Sequence, residues 1–204
     1  GADMVGLNFS PRSRRQVSVD IARAIVDGLQ SETVTVGLFV DETVEQINTT
    51  AATAGVQVLQ VHWRENESDL LELELPYLIV RRTEPGANYD MVAPVVARLL
   101  ESLNPPLAVL VDSYHPGAMG GTGVLADWEL SAQLARNFPV MLAGGLNPSN
   151  VANAIETVRP AGVDVASGVE ASGVKSPELI RAFVANARGA FDRYSSSSKM
   201  TVQS

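Results

Sequence analysis

Seven short apolar, β-rich runs alternate with longer stretches of helical spacing, and this alternation constrains the fold more than any other feature. The runs are "MVGLNF" (4–9), "VTVGLFV" (34–40), "VQVLQVH" (56–62), "YLIVRR" (77–82), "LAVLVD" (107–112), "PVMLAGG" (139–145) and "VDVASG" (163–168). They are apolar almost throughout, as suits strands covered by helices on at least one side. Alternating strand and helix implies parallel strands joined by crossovers, an α/β class. Seven units suit a doubly wound sheet. A (β/α)8 barrel needs eight, and the opening "GADMVGLNF" has no lead-in before its first strand. On the barrel reading, the first strand and helix are therefore missing from this chain or displaced in it.

Start signals mark the intervening helices. Ser18 is placed to cap a helix with Ile21, Ile25, Val26 and Leu29 on one face, and Asp41 to cap one with Val44 and Ile47 inward. Residues 88–103 carry Met91, Val95, Leu99 and Leu100. "NPSNV" puts Asn147 at a cap and Pro148 in the first turn, and Ser176 with Pro177 repeats the device. One βα-barrel domain is expected over 1–193. Residues 194–204, with "SSSS" and "KMTVQS", read as a flexible tail, or as a linker leading into the start of the displaced first strand.

Composition narrows the function classes. Hydrophobic residues at 46% and charged residues at 19% indicate a folded core. A net charge of −8 argues against nucleic acid as a partner, because a phosphate backbone needs a basic face. The absence of cysteine excludes disulfides, thiolate metal sites and a cysteine nucleophile within these residues. No apolar run approaches a membrane span, and no secretory signal is visible, so a cytoplasmic location is expected. Two histidines, His62 and His115, do not suggest a metal site.

The chemistry of a βα barrel lies beyond the C-terminal ends of its strands. After the first run come Arg12, Arg14 and Arg15; the third run closes with Gln60 and His62. The fifth ends in Asp112, followed by the glycine-rich "SYHPGAMGGTG". Asp112 reads as a turn-former or as a catalytic acid at the sheet rim. After the sixth and seventh runs come "AGGLNPSN" and "SGVEASGVKS". Gly144 and Gly145 let the main chain approach an anion, and Ser167 with Gly168 offers a similar arrangement. Each loop alone reads equally well as a turn. Two of them at adjacent strand ends favour a phosphate site. Asp164, inside an apolar run, needs a polar mouth or a cation beside it, and the barrel mouth is the favoured reading.

With these motifs assembled, residues 1–190 resemble phosphoribosylanthranilate isomerase, a family with the (β/α)8 TIM barrel fold. The resemblance rests on "GADMVGLNFSPRSRRQVS", "VGLFVD", "VQVLQVH", "LVDS" with "GGTGVLADW", "LAGGLNPSNV" and "GVDVASGVE" with "GVKS", in that order. It implies an Amadori rearrangement of a phosphoribosyl anthranilate in tryptophan biosynthesis, without a cofactor. It implies Asp112 as general acid, Arg15, Gln60, His62 and Asp164 as substrate contacts, and Gly144, Gly145, Ser167 and Gly168 as phosphate binders. A small phosphorylated substrate is the expected partner, to a monomer or homodimer. Two departures stand out. Trp63 replaces the glycine that follows the family's Gln-x-His, and the family's "KICG"-like first strand, whose cysteine is the general base, has no counterpart here.

Two other readings compete. An indole-glycerol-phosphate synthase would need strand-end lysines, and Lys175 and Lys199, the only lysines, are at no strand terminus. A catalytically impaired phosphate-binding barrel, or a fragment of the family, accords with the lack of cysteine. On the main reading, these 204 residues carry the binding architecture and little turnover until a first βα unit ending in cysteine is added.

Overall fold

The computed structural model describes residues 1–29, 32–62, 67–82, 86–112 and 123–200, apart from the side chains of 67, 123–127 and 194–200. Each of the seven runs contains a strand, and the seven lie in one sheet in chain order. They are β1 (Met4–Asn8), β2 (Val34–Phe39), β3 (Val58–His62), β4 (Tyr77–Arg82), β5 (Ala108–Asp112), β6 (Val140–Ala143) and β7 (Gly162–Val163). The pairs β1–β2, β2–β3, β3–β4 and β6–β7 are parallel, as crossover helices require. The chain divides into two compact units, one of Ala2–Arg81 with Arg98–Val109, the other of Gly1, Arg82–Ala97 and Leu110–Ser204.

In the first unit, helix α1 (Val19–Gly28) is capped by Ser18, whose Oγ accepts from the Ile21 N–H at 3.3 Å. Its buried side chain is Ala22, while Ile21 is 55% exposed, so the apolar face is rotated from the expected one. Helix α2 (Val44–Ala54) is capped by Thr43 rather than Asp41. Thr43 Oγ1 accepts from the Gln46 N–H at 3.3 Å, and Gln46 Oε1 accepts from the Thr43 N–H at 2.9 Å. This reciprocal capping box satisfies two otherwise orphaned donors, more than Asp41 could do from outside the turn. Asp41 instead pairs with Arg12. Phe9 and Phe39 stack with centroids 5.3 Å apart over Gly37, where a Cβ would come within 2.9 Å of the Phe39 ring. Helix α3 (Tyr89–Leu100) follows β4 and lies in the second unit up to Ala97; its Val92, Ala93, Val96 and Leu99 are buried, and Met91 is 64% exposed.

The second unit is built around one apolar cluster. Helix α4 (Gly123–Ala135) supplies Trp128, β6 supplies Leu142, and α5 (Val151–Val158) supplies Val151, Ala154, Ile155 and Val158. Helix α6 (Pro177–Met200) adds Phe183, Ala187 and Ala190. The backbone of α6 runs through the serine stretch as far as Met200. Leu146 and Val169, from the segments after β6 and β7, belong to the same cluster and anchor those segments to the core.

The seventh run departs from expectation. Only Gly162 and Val163 are strand, and a 3-10 turn occupies Ser167–Val169. A two-residue hairpin follows, β8 (Glu170–Ala171) against β9 (Val174–Lys175), turning at Ser172 (φ 52°) and Gly173 (φ 80°). Two consecutive left-handed residues make the primed turn whose twist matches antiparallel strands. The physical reason for the early departure is Gly168. A Cβ there would lie 1.8 Å from the Leu146 carbonyl oxygen and 3.1 Å from the Asn147 Cα. The backbones after β6 and β7 thus meet without room for any side chain between them. Gly168→Ala is expected to cost about 1–3 kcal/mol or more, since the obstacle is main chain and cannot rotate away. Urea unfolding checks this, and an alanine variant as stable as wild type would show that the two segments separate freely.

Candidate active site

Most of the residues singled out in the sequence sit at or just beyond the C-terminal ends of strands. Asp112 is the last residue of β5, and Asp164 follows β7 directly. Gly144 and Gly145 follow β6, and Ser167 and Gly168 open the 3-10 turn after β7. These six fall in the second unit. In the first unit, Gln60 lies in β3, His62 ends it, and Arg15 lies in the connection after β1. Trp63 and the glycine-rich stretch 113–122, with His115, lie outside the described residues.

The segment after β6 is shaped by local hydrogen bonds. Gly144 (φ 90°) and Gly145 (φ 64°) take left-handed conformations that turn the chain out of the sheet. The Gly145 carbonyl accepts from Asn150 Nδ2 at 3.0 Å and Asn147 Nδ2 at 3.4 Å. Asn147 Oδ1 accepts from the Ser149 N–H at 2.9 Å, and Asn150 Oδ1 accepts from the Asn147 N–H at 2.8 Å. Helix α5 begins at Val151 with Asn150 at its N-cap, so Asn147 is not the helix cap expected and Pro148 lies in the turn before the helix; Asn147 instead closes that turn through its side chain. Asn186 of α6 donates to the Pro148 carbonyl at 2.7 Å and fastens this turn to the last helix. Among the described residues, the N–H groups of Gly144, Gly145, Ser167 and Gly168 take no part in these bonds.

The Arg15 side chain is half-buried, and its loop is held close to β1. The Val17 N–H donates to the Asn8 carbonyl at 2.9 Å, and the Arg15 N–H to Ser13 Oγ at 3.1 Å. Gln60 and His62 are also half-buried, in register with Leu78 and Val80 of β4.

Asp112 has a cation near it that sequence reasoning missed. Arg82, the last residue of β4, places its Nε 3.8 Å from Asp112 Oδ2, with the two side chains 74% and 27% exposed. At that separation and exposure the pair adds little stability, so its effect is on the local field. Two charged residues closing "YLIVRR" were the available signal. The second carboxylate, Asp164, is held in place by its own backbone, whose N–H donates to the Leu142 carbonyl at 2.9 Å. Withdrawal from water pushes the Asp164 carboxyl above the ordinary aspartate range, and the charge of Asp112 pushes it further. Lys175 and the Val165 N–H oppose the rise. Asp164 thus feels the charge of Asp112 within the second unit.

Residues 1–186 match the family model for N-(5'phosphoribosyl)anthranilate (PRA) isomerase. The N-(5'-phosphoribosyl)anthranilate isomerase of Roseiflexus castenholzii is 44% identical over 199 residues, covering 93% of this chain and 90% of that protein. The chain belongs to this isomerase family. Its α/β fold agrees. The crystal structure of phosphoribosyl anthranilate isomerase from Thermotoga maritima aligns with a TM-score of 0.79 at 33% identity, over 93% of this chain and 89% of that one. A phosphoribosyl anthranilate isomerase in complex with reduced 1-(o-carboxyphenylamino)-1-deoxyribulose 5-phosphate aligns at 0.76 with 31% identity, over the same shares of the two chains. Monomers generated from the dimeric Thermotoga maritima enzyme align equally well, at 0.76 and 30% identity, again over 93% and 89%. The barrel class expected from the strand order is that of the isomerase family, and these matches do not favour an impaired barrel as the main reading.

The raised Asp164 carboxyl has a consequence for stability. A carboxyl whose folded value lies above its unfolded value contributes fully below the unfolded value, and that contribution is lost as pH rises through the folded one. Ionised Asp164 therefore weakens the fold at neutral pH. Asp164→Asn is expected to match wild type near pH 3 and to be as stable or more stable near pH 7, measured by denaturant unfolding across that window. A variant whose stability deficit grows with pH would contradict the burial and charge arrangement around Asp164.

Proposed function

We propose that the protein isomerises N-(5'-phosphoribosyl)anthranilate to 1-(2-carboxyphenylamino)-1-deoxyribulose 5-phosphate, a step of tryptophan biosynthesis. The observation that carries this reading is the order at the strand ends: Asp112 closing β5, then Gly144 and Gly145 after β6, then Asp164, Ser167 and Gly168 after β7. That order supports the assignment of a proton donor and two phosphate loops to successive strand ends, in a chain 44% identical to such an isomerase.

In the proposed reaction Asp112 donates a proton to the furanose ring oxygen as the C1–O bond breaks, and the nitrogen lone pair forms the C1=N bond of a Schiff base. A base then takes the C2 proton, and the C2–H electrons move to the imine, giving an enolamine. Tautomerisation yields the ketone. The imine nitrogen is itself the electron sink, so the reaction draws on no cofactor. Gly144, Gly145, Ser167 and Gly168 are assigned to the phosphate through their N–H groups. Arg15, Gln60, His62 and Asp164 are assigned to the remainder of the substrate. The protein acts as a monomer or homodimer in the cytoplasm. Among the described residues, no helix is long and apolar enough to cross a membrane.

On the family's pattern the base is a cysteine, and none of the 204 residues is one. Binding and turnover are therefore separate tests. In a chain supplied with a first βα unit ending in that cysteine, Asp112→Asn is expected to lower kcat by roughly two to four powers of ten. Affinity for the reduced product analogue should stay within about threefold, since the acid acts on the transition state. Loss of substrate fluorescence reports the rate. Near-normal turnover would make Asp112 a turn residue. Turnover on the order of 1 s⁻¹ by the 204 residues alone would assign the base to another side chain.

A further inference from the structure

The hairpin β8–β9 has no part in the proposed chemistry, yet its last residue is committed to the segment that precedes the phosphate loop. Lys175 Nζ donates to the Ala166 carbonyl at 2.6 Å and lies 3.3 Å from Glu170 Oε1. The Glu170 side chain is only 6% exposed. Glu170 and Lys175 are register partners across the hairpin, so the primed turn at Ser172 and Gly173 brings them together. Ala166 stands between Asp164, whose carboxyl feels the Lys175 charge, and Ser167, where the 3-10 turn begins.

An ordinary surface lysine would extend into water. This one is half-exposed and bonded to the backbone at the point where the chain swings from Asp164 towards Gly168. The Ser176 N–H donates to the Val169 carbonyl at 2.9 Å, which ties the far end of the turn to the start of α6. The turn is thus pinned at both ends: by Lys175 at Ala166 and by Ser176 at Val169. The Gly168 contact with Leu146 and Asn147 fixes its middle.

We propose that Lys175 is a positioning residue of the phosphate site, acting through the Ala166 carbonyl and the partly desolvated Glu170 to set the N–H groups of Ser167 and Gly168. This inference rests on the assignment of a phosphate ligand to the site. Lys175 does not touch the ligand; it orients the main chain that does. A hydrogen bond from a charged donor is among the stronger ones, and its loss lets Ala166 and the following amides rotate.

The test is a set of affinities, measured by calorimetry, for inorganic phosphate and for the reduced product analogue. Lys175→Met is expected to weaken both by about tenfold, the scale of one charge-assisted hydrogen bond. Lys175→Arg, which keeps a cationic donor, should recover most of the loss. Glu170→Gln, which leaves the bond to Ala166, should weaken both by less than Lys175→Met. Each variant is compared at a temperature where its circular dichroism shows it folded, so a merely structural role would leave the affinities unmoved. A folded Lys175→Met with unchanged affinities, or a loss that Lys175→Arg does not recover, would overturn the role of Lys175. A wild-type protein that binds neither ligand would overturn the functional reading instead.

Discussion

The contact between Gly168 and the main chain of Leu146 and Asn147 is the constraint on which the candidate site depends. Two backbones from separate strand ends approach until no Cβ fits between them. This explains why β7 stops after two residues: an extended continuation would carry 164–168 along the sheet rather than across to the neighbouring loop. It also explains why both segments send a large apolar residue, Leu146 and Val169, into one cluster with Phe183 and Ile155. The apolar burial supplies the driving force, and the glycine permits the approach.

Around that contact the charges are arranged in opposition. The charge of Asp112 raises the proton affinity of Asp164, while Arg82 stands by the first and Lys175 acts on the second. Two carboxylates without cations would repel an anionic substrate. Here a loose 3.8 Å pair stands at Asp112, and the lysine is directed chiefly to Ala166 and Glu170.

Much of this was legible in the residues. Six strand runs were read to within two residues at each end because an apolar run bounded by polar turn residues has few other uses. The caps at Ser18 and Ser176 followed from side-chain chemistry that acts within one turn. The failures came where tertiary contact overrode local pattern. "VDVASG" reads as strand, but Gly168 is needed elsewhere. Ile21 and Met91 read as core, but smaller or differently spaced neighbours, Ala22 and Val92, take the inward positions. Thr43 displaced Asp41 as a cap because Gln46 could reciprocate. Among the candidate site residues, the strand-end positions of Asp112 and the glycines followed from run boundaries. Arg82 could be read only as one of two arginines closing an apolar run, and Lys175, read as lying at no strand terminus, in fact closes the two-residue strand β9; each acquires its meaning from what it touches.

The central claim is that the segments after β6 and β7 together form one anion site. It is tested most directly by the crystal structure of the protein soaked with the reduced product analogue. The expected result is the phosphate within about 2.7–3.2 Å of main-chain N–H groups drawn from both Gly144–Gly145 and Ser167–Gly168. A phosphate bound at another place, with these N–H groups turned away or covered by side chains, would contradict it.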